Sequence, residues 1–319
     1  MMARRRTART ARTARTVQAV QAVRTVRAVA LAAVLALTLV VVPDSAVQRT
    51  DMSLVDVRRA QGVDVSPHTI WILALGSDAR PGQPRLRSRA DAIQLVGINT
   101  RTGAATAIGI PRDSYVSIPG RGRGRINSAL TAGGPRLMGR TVGNLVGIQP
   151  DYVFTTGFRG MEKMVDAIGG IRVYSPRAFS DPNLKSDGFD RGWIQLKGYG
   201  AHVFSRIRKS LPGGDFERSA NQQRTLRGIQ RRVRDQAHRP GFVERGVLSV
   251  MRNLDTNLPP RRLFEIAHAV AGVKPGKVTT CVVQGRVGNA GAASVVFPNV
   301  GQARRYGNQA RGDATLPGC

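Results

Sequence analysis

Acid is scarce in this chain of 319 residues: 20 Asp+Glu stand against 49 Lys+Arg, a formal net charge of +29. Aromatics make up only 5% of the sequence, so the core must be built mainly from Val, Leu, Ile and Ala. The four histidines, His68, His202, His238 and His268, are scattered and lack metal-ligand spacing. Neither a Gly-x-Ser-x-Gly elbow nor a Walker loop occurs, which removes the usual serine-hydrolase and P-loop chemistries. There are only two cysteines, Cys281 and the terminal Cys319. In an exported domain they are permitted to form a disulfide tying the C-terminal tail to a strand; the sequence leaves two free thiols open.

The basic excess is partly tail. Residues 1–27 hold eight arginines and no acid, yet the remainder still carries about +21. A field of this sign draws polyanions: nucleic acid, anionic lipid or phosphate-rich polymer. The tail is low in complexity, with Arg-Thr-Ala triplets followed by Val-Gln-Ala repeats. An apolar run, Ala28 to Val42, ends at Pro43. As a helix it would be about 22 Å long, short of the roughly 30 Å hydrocarbon core unless extended at both ends. Arg24 and Arg27 orient its basic end inward, with the rest translocated. Asp44 spoils the small-x-small pattern of a cleavage site at Asp44-Ser45-Ala46, which favours an uncleaved signal anchor over a cleaved signal peptide.

The expected organisation is a basic cytoplasmic tail over 1–27, a transmembrane anchor over 28–43, a stalk over 44–67, a catalytic domain over 68–240 and a C-terminal part over 241–319 packing on it. Thr69 to Leu75, Ala92 to Ile98 and Ala104 to Ile110 read as strands, and Ile171 to Tyr174 as another. Pro135 to Val146, Gly160 to Ile168, Phe216 to Ala237 and Arg261 to Ala271 carry the 3.6-residue period of helices, and Gly169-Gly170 should stop the second. Interleaved elements of this kind predict an α/β fold, a central sheet covered by helices. Within the Gly-rich last 45 residues only Val282-Val283 and Ser294 to Phe297 read as weak strands.

Charged residues gather at the ends of these elements. Asp78 and Arg80 follow the first strand directly, and ligands collect beyond the carboxyl ends of strands in open α/β sheets. Asp91 opens the next strand. If the two strands pair antiparallel, Asp78 and Asp91 fall at one end of the sheet. Two carboxylates there repel each other without a cation and suit Mg²⁺ bound together with phosphate oxygens. Arg112 closes the third strand. Arg206 and Arg208, if extended, point to one face, with Ile207 to the other. Arg218 and Gln222 share a helix line that continues through apolar Leu226, Ile229 and Val233, so their polar turns sit at the core's edge near a helix N-terminus. The run Gly120-Arg121-Gly122-Arg123-Gly124-Arg125 reads as a solvated loop.

Six of these motifs stand in the order seen in the LytR–CpsA–Psr family, over about residues 68 to 235: Gly76-Ser77-Asp78-Ala79-Arg80, Arg89-Ala90-Asp91, Ile110-Pro111-Arg112-Asp113, Arg125-Ile126-Asn127, Arg206-Ile207-Arg208, and Asp215-Phe216-Glu217-Arg218 with Gln222-Gln223. The resemblance implies a central mixed sheet and a membrane-anchored, extracytoplasmic phosphotransferase. Such an enzyme moves glycopolymer from a polyprenyl pyrophosphate carrier to peptidoglycan with Mg²⁺. It further implies Asp78 and Asp91 as metal ligands, with Arg112 joining them in the catalytic set. Arg89, Arg112, Arg206, Arg208, Arg218 and Gln222 would hold the pyrophosphate, with Arg80 and Asn127 in a lesser place. Asn221 stands where many members carry a further Arg, which leaves the substrate class open. No helix-turn-helix or other DNA-reading module occurs, so no specific nucleic acid is expected. The competing expectation is a non-catalytic, membrane-anchored protein that holds anionic wall polymer or polyprenyl phosphate lipid.

Overall fold

The strand expected at Thr69 buries every second side chain from Thr69 to Ser77, including Trp71, Leu73 and Leu75. That alternation assigns two working faces to the sheet it belongs to. A computed structural model describes residues 51–57, 67–80, 82–251 and 254–319. The basic tail, the apolar run and most of the expected stalk lie outside the described residues. No described helix is long and apolar enough to cross a membrane.

In chain order the first elements are β1 (Met52–Asp56), β2 (Thr69–Ser77), β3 (Ala90–Asn99), β4 (Ala105–Gly109), β5 (Tyr115–Ile118), β6 (Gly122–Arg125), α1 (Ser128–Val146), β7 (Tyr152–Thr156), α2 (Phe158–Ala167) and β8 (Ile171–Ser175). There follow β9 (Phe179–Asp181), β10 (Lys185–Phe189), β11 (Gly192–Leu196), α3 (Gly198–Arg206), α4 (Gly214–Ala237), α5 (Phe242–Met251), β12 (Leu254–Thr256) and α6 (Pro260–Ala271). The chain closes with β13 (Val278–Val282), β14 (Gly285–Ala290), β15 (Ala293–Pro298) and α7 (Val300–Ala310).

Seven strands form the central sheet in the order β12-β1-β7-β2-β3-β4-β13. The sheet is mixed: β2 runs antiparallel to β3 but parallel to β7, and β13 is parallel to β4. Two expected boundaries change. β1 falls within the expected stalk but pairs with β7 and β12, so the sheet already begins at Met52. The C-terminal part does more than pack on the domain, because β12 and β13 are its two outermost strands.

One face of the sheet, with Trp71, Leu73 and Leu75, packs against α1 through Met138 and Val142 and against α7 through Ala303 and Tyr306. The other face, with Met52, Leu54 and Tyr152, meets α5 and α6. A smaller core around Phe179, Phe189 and Phe204 joins α3 to β8–β11. Gly169 and Gly170 stop α2 in left-handed conformations, φ 80° and 87°. Their N–H groups reach back to Asp166 and Val165 in a two-bond C-terminal cap. Cys281 on β13 and Cys319 form a disulfide with Cα atoms 5.5 Å apart. Closing a segment of 38 residues is worth about 4 kcal/mol in the chain-entropy account.

Candidate active site

The β2–β3 pair delivers both aspartates to one end of the sheet, and a slip in register sets how. Gly76 pairs with Ala92 but Ser77 pairs with Ala90, so Asp91 is the extra residue of a β-bulge. A bulge interrupts the alternation and re-aims its side chain. Ala90 is buried, while Asp91 comes out to line a cavity of about 630 Å³. Asp78 lines it from the end of β2. The loop between them is closed by Arg89, whose backbone N–H donates to Asp78 Oδ1 at 2.9 Å and whose Nε lies 3.6 Å from Asp78 Oδ2.

Five arginines, Arg80, Arg87, Arg89, Arg112 and Arg206, line this cavity against only the two aspartates. The lining is therefore cationic and suits a polyphosphate. A smaller chamber beside it brings Asp91 and Arg206 together with Arg218 and Gln222. Of the expected site residues, Arg208 and Asn127 line neither space. Asn127 is buried, and its backbone links Ala90 to Arg112.

Arg206 and Arg208 do not share a strand face. Arg206 ends α3 and its guanidinium lies over the Phe158 ring, 4.7 Å from the centroid. Arg208 follows the helix end and lies 3.5 Å from Asp113 and 3.4 Å from Asp215. The small aromatic core around Phe204 makes this segment helical, which the Arg-x-Arg spacing does not reveal.

Two carboxylates inside the motifs, for which the sequence suggests no role, hold the arginines in place. Asp113 lies 3.6 Å from each of Arg112 and Arg125. Asp215 lies 2.7 Å from Arg218. The available signal was adjacency: each acid sits within three residues of a candidate arginine. Arg112 also pairs directly with Asp91. Burial lowers the Arg112 pKa, but Asp91 and Asp113 more than offset it and the net shift is upward. Arg218 differs: burial lowers its pKa, Asp215 restores only part, and Arg112 lowers it further. A buried cation of this kind is short of negative charge, which an anionic ligand would supply.

Gln222 works as a bracket. Its Nε2 donates to the Asp91 carbonyl at 3.3 Å and the Ser205 carbonyl at 3.4 Å, and its Oε1 accepts from Gln94 at 3.1 Å. It thereby fixes α4 to the bulge and to α3. Asn221, at the position of departure, is buried and accepts from Arg224 at 2.7 Å, while its Nδ2 has no hydrogen-bond partner. His202 also lines the small chamber, bonded through Nδ1 to Glu162 at 2.8 Å and stacked on Phe158.

Beyond the chamber lies an apolar cavity of about 390 Å³ between the sheet and α4–α6. The two spaces follow one another along the same faces. Gly76 and Thr156 line the chamber, and Ala74 and Phe154, two residues earlier on β2 and β7, line the cavity. Gln222 gives way to Leu226 one turn along α4, and Met161 to Met164 on α2. Ile229 and Val233 continue the α4 line into the cavity.

The α/β scaffold thus joins a cationic, carboxylate-edged cavity to an apolar recess. Residues 41–311 match the LytR_cpsA_psr family, and the chain belongs to it. It is 32% identical over 201 residues to a Bacillus anthracis protein named polyisoprenyl-teichoic acid–peptidoglycan teichoic acid transferase TagU, an alignment covering 62% of this chain and 63% of that one. The chain thus spans less than two thirds of the length of such relatives. The fold matches Bacillus subtilis TagV with a TM-score of 0.66 at 23% identity, covering 80% of this chain and 100% of that one. It also matches a structure described as TagT bound to LI-WTA, with a TM-score of 0.64 at 24% identity, covering 84% and 98% of the two chains.

Proposed function

We propose that this protein is a membrane-anchored phosphotransferase acting outside the cytoplasmic membrane, which moves a glycopolymer from a polyprenyl pyrophosphate carrier onto peptidoglycan. The observation that carries the reading is the joining of an arginine-lined cavity to an apolar cavity along α4. The name of the relative from Bacillus anthracis, a teichoic acid transferase, supports an anionic wall polymer as cargo.

In this reading the polyprenyl chain lies among Ile72, Ala74 and Leu226. The pyrophosphate sits among Arg89, Arg112, Arg206 and Arg218. A peptidoglycan hydroxyl attacks the phosphorus nearest the sugar. The bond from that phosphorus to the bridging oxygen breaks, and polyprenyl phosphate leaves. The hydroxyl proton passes to an aspartate of the Asp78–Asp91 pair. Such a transfer depends on positioning and charge neutralisation, and planar guanidinium forks suit both.

Mg²⁺ is part of the proposal. Two carboxylates on one cavity wall, with room for phosphate oxygens, form a donor set that fits this ion. Asp78 and Asp91 would hold it, and when bound it would neutralise charge developing on the phosphate oxygens.

The test is transfer by the purified full-length chain with a polyprenyl-pyrophosphate glycan, peptidoglycan acceptor and Mg²⁺. Asp91→Ala and Arg206→Ala should each lower release of polyprenyl phosphate by about 100-fold or more, the usual scale for removing one charge-stabilising group. Wild-type rates in both variants would refute the site. Donor binding without any release by the wild type would replace the enzyme with a binding protein.

A further inference from the structure

Away from the cavities, the ribbon formed by β8 and β11 shows an unusual outer face. Ile171, Val173 and Leu196 turn inward to the small aromatic core, while Arg172, Tyr174, Trp193 and Gln195 face outward. Tyr174 and Trp193 are direct cross-strand partners, packed edge to face at 5.6 Å, and remain 43% and 50% exposed. The Trp193 ring is flanked by two guanidinium groups, Arg172 at 5.1 Å and Arg231 of α4 at 5.0 Å. Burial lowers the Arg231 pKa first, and Arg227 and Arg172 lower it further against Asp235. Two arginines thus flank one exposed indole, with Arg227 adding positive charge beside Arg231.

We propose that this face is a docking surface for an anionic lipid bilayer, seating the mouth of the apolar cavity on the membrane that holds the lipid-linked donor. The inference rests on the transferase reading for its purpose, but its evidence is local. Arg227, one turn from Arg231, lines the apolar cavity, and so does Ile168, four residues before Arg172. Arg232 ties the two segments together by donating to the Ile168 carbonyl at 2.7 Å. The patch therefore adjoins the cavity at α4 and the end of α2. Indole and phenol rings settle at the headgroup level of a bilayer, and arginines beside them meet lipid phosphates. A glycan is the poorer occupant, because the guanidinium groups take the indole surface on which a sugar ring would stack.

Trp193 and Trp71 are the two tryptophans of the sequence, and Trp71 is buried in the core at 5% exposure. Emission therefore separates an outer reporter from an inner control. The full-length chain is reconstituted into phosphatidylcholine vesicles with and without phosphatidylglycerol, carrying bromine at shallow acyl positions. Quenching is expected in the anionic vesicles, weaker in neutral ones and at high salt, and absent in Trp193→Phe. Each arginine near an anionic surface contributes about fivefold in affinity. Arg172→Ala with Arg231→Ala should thus bring Trp193 quenching back to the neutral-vesicle level. Equal quenching in neutral and anionic vesicles, or none in either, overturns the proposal. So does a Trp193 response to soluble anionic wall polymer with none to lipid. Loss of transfer with quenching intact would sink the transferase reading alone, and the reverse would sink the docking surface alone.

Discussion

Replacing Asp215 with Ala isolates the electrostatic design of the site. Asp215 is 10% exposed in its side chain, and Arg218, 2.7 Å away, is 7% exposed. Removing one partner of a buried pair usually costs 3–5 kcal/mol, because the other charge stays buried without compensation. Arg208 keeps Asp113 as a second partner, so the lower end applies, about 3 kcal/mol. For a domain of this size that is a fall in Tm of roughly 5–6 °C. The informative step is adding inorganic pyrophosphate. It supplies the negative charge that Arg218 has lost, so it should raise the Tm of Asp215→Ala by more than it raises that of the wild type. Scanning calorimetry of both proteins with and without pyrophosphate reads all four values. A fall below about 2 °C, or equal pyrophosphate shifts in the two proteins, would refute the view of Arg218 as a cation waiting for an anion.

Ala74 lines the apolar cavity from the middle of the sheet. Ala74→Phe should displace about one isoprene unit, worth at most about 4 kcal/mol. A rise of tenfold or more in Kd for a long-chain donor is expected, with the pyrophosphate-induced Tm shift unchanged; equal affinity for long and short chains would contradict it. His202 titrates below its ordinary range because burial outweighs its bond to Glu162, and Arg206 adds to the lowering. The unfolded state then binds the proton more readily, so His202 contributes stability that is present above pH 6.5 and lost as pH falls below it. His202→Phe, which keeps a ring against Phe158, should flatten the decline in Tm between about pH 7 and pH 5.5; an unchanged slope would clear His202 of the effect.

The parts of the site legible in the sequence were those written in periodicity. β2, β3 and β4 carry apolar runs punctuated by turns, and the α4 line from Arg218 to Val233 shows its inward direction through Leu226 and Ile229. The antiparallel β2–β3 pairing that joins Asp78 to Asp91 entered the sequence reading only as a condition, and the observed register meets it. What stayed hidden depends on tertiary partners. β1 carries few residues and becomes a strand because β7 and β12 pair with it. The bulge at Asp91 is a one-residue slip without a glycine to mark it. α3 hides the different surroundings of Arg206 and Arg208 behind a motif that reads equally well as extended. α7 has a capping residue, Asn299, whose side chain accepts from Gln302, but its polar, Gly-containing sequence conceals the face bearing Ala303 and Tyr306. The run Gly122–Arg125, which reads as a loop, pairs with β5 as a hairpin.

The continuity of chamber and cavity along α4 has a consequence for selection among phosphate compounds. Under the proposed reading, head and tail of one molecule grip a single rigid helix at points one turn apart. Once either end is seated, the other meets its site at an effective concentration in the millimolar range. Nucleotide sugars carry the same pyrophosphate without the tail and forgo that chelate advantage. They should compete with the lipid-linked donor only at millimolar levels in a donor-displacement titration, whereas micromolar competition would mean that the head alone suffices. The enzyme would then tell a membrane-borne intermediate from its soluble precursors by requiring both ends at once, with no group dedicated to rejecting the nucleotide.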